Sequence, residues 1–193
     1  NHRVKNNLNL VSSFLNIQRR HHDSDEINAA LEDARDRIQA ITSIHDTLDQ
    51  EYNQIDVELR PYVTGFLKTL REAHEQPDQV INYQIDVENV KVPGNIAVSL
   101  CIIINELITN AFKYSLKDSG DTLRISFERL DDEYRLVVED NGPGLPKDLD
   151  FDELETLGFK IVDKIAEGRL NGTFSHEPSE GARFVVTFPR DGI

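Results

Sequence analysis

Residues 105–114 read Asn105-Glu106-Leu107-Ile108-Thr109-Asn110-Ala111-Phe112-Lys113-Tyr114, preceded by Ile102, Ile103 and Ile104. The pattern predicts a helix over 95–115 whose buried face is supplied by Ile102, Ile103, Ile104, Leu107, Ile108 and Ala111. Glu106, Asn110 and Lys113 follow one another at steps of four and three, so they project from one stripe. A carboxylate, an amide oxygen and an ammonium on one stripe suit a hydrated Mg²⁺ and the phosphates it neutralises, because Mg²⁺ prefers oxygen ligands and keeps several waters. A solvated polar face has the same spacing, and this helix alone does not separate the two.

A second segment, Glu139-Asp140-Asn141-Gly142-Pro143-Gly144-Leu145-Pro146, directly follows an expected strand. Gly/Pro turns of this kind are common. An acidic residue that ends a strand and precedes two glycines also fits nucleotide binding. The Asp140 carboxylate can accept a hydrogen bond from an exocyclic amine, while Gly142 and Gly144 let backbone approach a ligand. A third piece, Leu157-Gly158-Phe159-Lys160-Ile161-Val162, opens a helix whose N-terminal amides can face phosphate. Gly158 alone is weak evidence; the order of the three pieces is far more specific than any one of them.

Around these segments helices and strands are mixed. The pattern predicts a short strand at 55–57, a helix over 59–73 with Pro61 near its first turn, and a strand over 80–87. Strands over 123–130 and 134–139 flank a turn at 131–133, then come a loop over 140–156 and a helix over 157–167. Residues 169–175 and 183–188 read as a final hairpin. The fold class is an α+β layer, a mixed sheet with helices on one face.

Upstream, Val4, Leu8, Val11 and Leu15 step by four, three and four on one helix face. The polar run 21–25 interrupts the pattern, and Ser24 is the expected N-cap of the next helix. There Ile27, Leu31, Ala34, Ile38, Ile41, His45 and Leu48 form a seam of coiled-coil type. Two helices with a short loop pack antiparallel, and each carries more apolar stripe than one partner covers. Dimerisation into a four-helix bundle is the economical solution; packing of the hairpin on its own second domain is the other. With residues 49–54 as a polar linker, the expected domains are 1–52 and 53–193.

Composition narrows the class. The 193 residues are 38% hydrophobic and 29% charged, an ordinary globular balance. Net charge is 21 − 35 = −14, which argues against general binding to nucleic acid or an anionic membrane. The longest apolar run, 98–104, is too short to span a bilayer, and no secretory signal opens the chain. The single cysteine, Cys101, lies in that run, which excludes a disulfide framework or a cysteine-rich metal site. The expectation is a soluble, cytoplasmic chain with no membrane segment of its own. It begins at Asn1-His2 with a helical pattern already under way and has no methionine, so it reads as a piece of something longer.

Residues 105–114, 140–144 and 157–159 resemble, in order, the N box and the two glycine boxes of the ATP-binding domain of histidine kinases. That domain is the Bergerat-type fold shared with gyrase, the mismatch-repair MutL proteins and heat-shock chaperones. The opening His2-Arg3-Val4-Lys5-Asn6-Asn7-Leu8 is similar to the H-R-x-K-N-N-L phosphoacceptor box of a subfamily related to the HWE kinases. The resemblance implies Asn110 as the Mg²⁺ ligand with Glu106 its water-mediated neighbour, Lys113 near the phosphates and Asp140 on the adenine amine. Gly142, Gly144 and Gly158 would line the ATP site, and His2 would be the residue phosphorylated by ATP. Neutral imidazole is a competent nucleophile near neutral pH. Asn6, four residues on, would help position water for dephosphorylating the partner. Arg3 stands where the commoner pattern has an acidic residue; arginine takes no proton at neutral pH, so it would steady phosphate charge, with the base unassigned. The implied partners are an aspartate of a response-regulator receiver domain, a second copy through the hairpin, and a sensor region outside this chain.

Departures from the family pattern concern the lid and one adenine contact. Residues 146–156 make a short lid with no phenylalanine-rich box beyond Phe151, and Thr156 replaces a glycine. Gly181-Ala182 replaces a Gly-Thr pair, removing one hydroxyl. Two rival functions are a phosphotransfer scaffold with an inactive ATP site and a serine kinase of the anti-sigma type. In a hairpin turning near residues 23 and 24, His2 and His45 fall at the same level, so His45 is expected either to orient the reactive histidine or to be an ordinary core histidine. His21 and His22 read as a solvated loop, and the acidic run 148–155 lacks the pattern of a calcium loop.

Overall fold

Leu123, Ile125 and Phe127 alternate with Arg124, Ser126 and Glu128, and this period of two decides which face of the central sheet is dry. The computed structural model describes residues 2–20, 24, 27, 28, 30–32, 34, 35, 37, 38, 42, 56–74, 80–116, 121–145 and 157–190. They fall into two compact units, Asn1–Ile55 and Asp56–Ile193.

In chain order the elements are α1 (His2–Arg20), β1 (Asp56–Glu58), α2 (Leu59–His74), β2 (Asn82–Val87), β3 (Lys91–Pro93) and α3 (Gly94–Tyr114). They continue with β4 (Thr122–Arg129), β5 (Glu133–Asp140), α4 (Leu157–Leu170), β6 (Thr173–Glu177) and β7 (Arg183–Pro189). The main sheet has the order β2-β4-β5-β7-β6. β2 runs parallel to β4 and the other neighbours are antiparallel, so the sheet is mixed. Register aligns Ile125 with Val138 and Val138 with Phe184, and Phe127 with Leu136 and Leu136 with Val186; these side chains form the buried face on which α3 and α4 pack. The other face carries an ion-pair lattice: Arg124 and Arg183 meet Glu139, and Arg183 and Arg135 meet Glu177.

α3 is buried through most of its circumference, from Ile96 to Phe112, which explains its nearly continuous apolar sequence. Among the described residues it is the one helix long and apolar enough to cross a membrane, longer than the apolar run at 98–104 alone, and 78% of that apolar window is buried inside the protein. The fold is therefore the expected α+β layer, with a helical unit before it.

Three local expectations are corrected. The strand expected at 169–175 is instead the end of α4 followed by β6, because Leu170 is still buried on the helix's apolar face. Asn171 then takes a left-handed φ of 50° and the Gly172 N–H returns to the Ala166 carbonyl at 2.8 Å, closing the helix. β2 begins at Asn82 rather than at residue 80, leaving Val80 exposed. The unanticipated β3 pairs with β1 in a small second sheet that buries Val57 and Val92.

In the first unit Ser24 caps as expected: its Oγ accepts from the Ile27 N–H at 3.4 Å and its carbonyl from the Asn28 N–H at 3.0 Å. Leu8, Leu15, Leu31, Ala34 and Ile38 are half-buried. Leu10, Phe14 and Ile17, at steps of four and three, remain 68%, 57% and 53% exposed. Arg19 joins Glu32 across the hairpin at 2.9 Å. His21, His22 and His45 lie outside the described residues, as do the side chains of His2, Arg3 and Asn6.

Candidate functional site

The polar stripe of α3 runs from dry to wet. Glu106 is 2% exposed, Asn110 is half-buried and Lys113 is exposed. The Asn105 Nδ2 lies 3.5 Å from the Glu106 Oε1, inside the core. The Asn110 Nδ2 is buried and has no hydrogen-bond partner within the described residues. A simple solvated face would not bury a carboxylate and strand an amide. Leaving such a group unsatisfied costs about 1–3 kcal/mol, so the position favours a ligand that satisfies it. A half-turn of the amide offers Oδ1 in place of Nδ2, which makes it an oxygen donor for a hard cation.

The second anchor comes from the end of β5. Asp140 stands opposite Leu123 in the sheet register, which places its carboxyl on the helix-bearing face, 6% exposed. Its Oδ1 accepts from the Gly142 N–H at 2.9 Å and the Ala182 N–H at 3.4 Å. The Asp140 N–H donates to the Ala182 carbonyl at 3.0 Å. One carboxylate oxygen is thus held by backbone, and Oδ2 is the oxygen available for a ligand's donor. Ala182 works through its main chain, so the missing threonine hydroxyl does not disturb this anchor.

The glycines of the loop are required by close approach. A Cβ on Gly142 would strike the side chain of Ser115, and one on Gly181 would strike the Asp140 carbonyl oxygen. Gly144 adopts a φ of +71°, a conformation that favours glycine. Asn141 is a strut: its Oδ1 accepts from the Asp121 and Thr122 N–H groups at 2.9 Å each, and its Nδ2 donates to the Asp121 Oδ1 at 3.0 Å. The hydrogen bond from Asn141, followed by that from Thr122, holds the Asp121 carboxyl below its ordinary pKa.

Gly158 is buried in the first turn of α4, beside Phe159, whose ring packs on Phe174 and Phe184 at 5.9 and 5.1 Å. That aromatic cluster fixes the start of α4 against β6 and β7. The expected lid, with Phe151 and Thr156, lies outside the described residues. Among the described residues no three His, Cys, Asp or Glu side chains form a metal cluster. That suits a cation held by few protein groups and many nucleotide or water oxygens. A separate groove of about 470 Å³, bordered by Arg124, Glu139, Asn141, Ser179 and Arg183, opens on the ion-paired face of the sheet, away from the Asp140 carboxyl. Sequence reasoning missed Ser115, Asn141 as a strut and Ala182. Only the glycine at 181 hinted at the last, since its partner is distant along the chain.

An acidic strand end clasped by backbone amides, next to a helix with a buried amide stripe, is the arrangement of a nucleotide-binding α+β domain. Residues 95–192 match the family described as histidine kinase-, DNA gyrase B- and HSP90-like ATPase, and residues 1–74 match the family described as histidine kinase. The chain belongs to the histidine kinases, and so to a class of ATP-binding signal-transduction transferases. The first match runs past the hairpin into α2, which packs within the second unit.

Among characterised proteins, the sensor histidine kinase PdtaS of Mycolicibacterium smegmatis is 29% identical over 205 aligned positions, covering 97% of this chain and 38% of that protein. Blue-light-activated histidine kinase 2 of Erythrobacter litoralis is 25% identical over 86% of this chain and 49% of its own length. The chain therefore spans less than half of these relatives. The solved structure of the Erythrobacter litoralis EL346 blue-light activated histidine kinase superposes with a TM-score of 0.69 at 21% identity, over 99% of this chain and 61% of that one. The Acinetobacter baumannii histidine kinase AdeS gives 0.60 at 20% identity, over 86% and 82%. These two likenesses establish the fold.

Proposed function

We propose that this chain is the catalytic core of a sensor histidine kinase that transfers phosphate from Mg-ATP to His2 and from there to an aspartate of a response-regulator receiver domain. The observation that carries the reading is the buried Asp140 carboxyl, held at Oδ1 by the Gly142 and Ala182 amides, in one unit with the buried Asn110 amide. In this reading Asp140 receives the adenine amine, and Gly142 and Gly144 let backbone lie against the nucleotide. Asn110, with Glu106 beside it, holds Mg²⁺, and Lys113 and the α4 terminus at Gly158 face the phosphates. The bound Mg²⁺ supplies charge neutralisation on the phosphates. The protein's part is positioning and electrostatics, as in phosphoryl transfer generally. His2 supplies the nucleophilic imidazole, Arg3 steadies phosphate charge and Asn6 orients water in the reverse, dephosphorylating reaction.

Residues 1–52 serve as the phosphoacceptor and dimerisation hairpin and 53–193 as the ATP-binding domain in this account. The exposed stripe of Leu10, Phe14 and Ile17 supports a homodimer, because a second copy covers what the hairpin leaves open. The test is Mg-ATP binding by calorimetry, followed by transfer of label to a receiver domain. Parent protein is expected to bind Mg-ATP, with Asn110→Ala weakening it by at least about tenfold. Label is expected to pass to the receiver's aspartate. Absence of nucleotide binding would leave a phosphotransfer scaffold as the better description.

A further inference from the structure

The two anchors of the candidate site lie on different elements, Asn110 on α3 and Asp140 on β5, and a single tight contact sets the distance between them. α3 ends at Tyr114, and the next residue, Ser115, donates its N–H to the Ala111 carbonyl at 2.9 Å. The Leu116 N–H returns to the same carbonyl at 2.8 Å, so the chain is wrapped tightly over the helix end. Ser115 is 5% exposed. Against it lies Gly142: a Cβ built there would press on the Ser115 Cβ, lie 2.8 Å from its Cα and 2.9 Å from its Oγ. The Gly142 amide is itself one of the two groups that hold the Asp140 Oδ1. A continuous path of packed atoms therefore joins the amide stripe of α3 to the carboxyl of β5 through Ser115 and Gly142.

We propose that Ser115 is a positioning residue for the nucleotide site: its side chain is the stop against which the Gly142 loop rests, and so it fixes the Asp140 anchor relative to Asn110. Glycine at 142 and a small residue at 115 are then one matched pair. Any added carbon on either side pushes the loop away from α3 and carries the amide that holds Asp140 with it. The requirement for glycine at 142 is relational and disappears once 115 is reduced. This inference rests on the nucleotide-binding reading of the site.

The experiment is a mutant cycle on the full chain, reading Mg-ATP affinity at a temperature where circular dichroism shows every variant folded. Gly142→Ala is expected to weaken binding by at least about tenfold, and Ser115→Gly combined with Gly142→Ala to restore most of that loss, within the range of couplings between touching residues. Ser115→Thr, which adds a methyl from the helix side, is expected to weaken binding like Gly142→Ala and serves if the latter does not fold. Gly172→Ala is the control for mere crowding. A Cβ there meets the Thr187 carbonyl and lies 2.6 Å from the Phe188 Cβ, at the sheet end remote from Asp140, so it should lower the melting temperature and leave affinity unchanged. Rescue of affinity in the double variant supports the proposal. A parent that binds while Gly142→Ala binds equally well, or while the double variant is no better than Gly142→Ala alone, overturns it. A parent that does not bind nucleotide overturns the functional reading and this role together.

Discussion

The two units of the chain handle their apolar residues in opposite ways. In Asp56–Ile193 the apolar faces of α3, α4 and the sheet close on each other, leaving Ile103, Ile108, Leu123, Ile125 and Val186 fully buried. In Asn1–Ile55 Leu10, Phe14 and Ile17 stay exposed along one stripe of α1. A layer of helices on a sheet can finish its own core, whereas a helical hairpin has two elements and too little surface to cover both stripes. The first unit is therefore built to be completed by something else and the second to hold a small ligand.

Predictions that would break or sharpen this contrast run from large to small. Phe188→Ala empties part of the sheet core, where Phe188 packs near Phe127 and Tyr134, and is expected to destabilise the second unit by about 3–5 kcal/mol in denaturant unfolding. An effect spread equally over both units, read by hydrogen exchange, would break the contrast. Mg-ATP at a hundredfold excess over its Kd should stabilise the second unit by about 2.7 kcal/mol, and Asp140→Asn should remove most of that gain, as followed by thermal melting. Phe14→Glu, on the open stripe of α1, should weaken self-association by at least about tenfold in sedimentation equilibrium, without changing Mg-ATP affinity.

The smallest expected effect is on pH dependence. Burial beside Phe184 pushes the His176 imidazole below its ordinary pKa of 6.5. The unfolded chain then binds more protons than the folded one as pH falls through that value. Stability from this residue is complete above about pH 6.5 and is lost below it. His176→Phe should flatten the drop in melting temperature between pH 7.5 and 5.5, and an unchanged slope would show that other groups govern it.

What the sequence made legible follows from range along the chain. The α3 stripe is visible because helical periodicity alone sets Glu106, Asn110 and Lys113 on one face. Asp140 is visible because an acid at a strand end before two glycines is a local pattern. By contrast, the hydrogen bond between Asp140 and Ala182 spans 42 positions, and no local rule reaches it. Ser115 against Gly142, and β3 against β1, are hidden for the same reason. The end of α4 was misplaced because the left-handed Asn171 and the glycine after it, a helix-ending pair, lie within a run that also reads as a strand. In the hairpin the seam was visible but which stripe stays open was not. That choice depends on how two helices turn toward each other.

The most direct measurement of the central claim is labelling with γ-³²P-ATP and Mg²⁺, comparing the parent chain with His2→Ala and Asn110→Ala. The account predicts acid-labile, alkali-stable label on the parent, abolished by His2→Ala and reduced by at least about a hundredfold by Asn110→Ala. Label that survives in His2→Ala, or that is stable to acid, would contradict it.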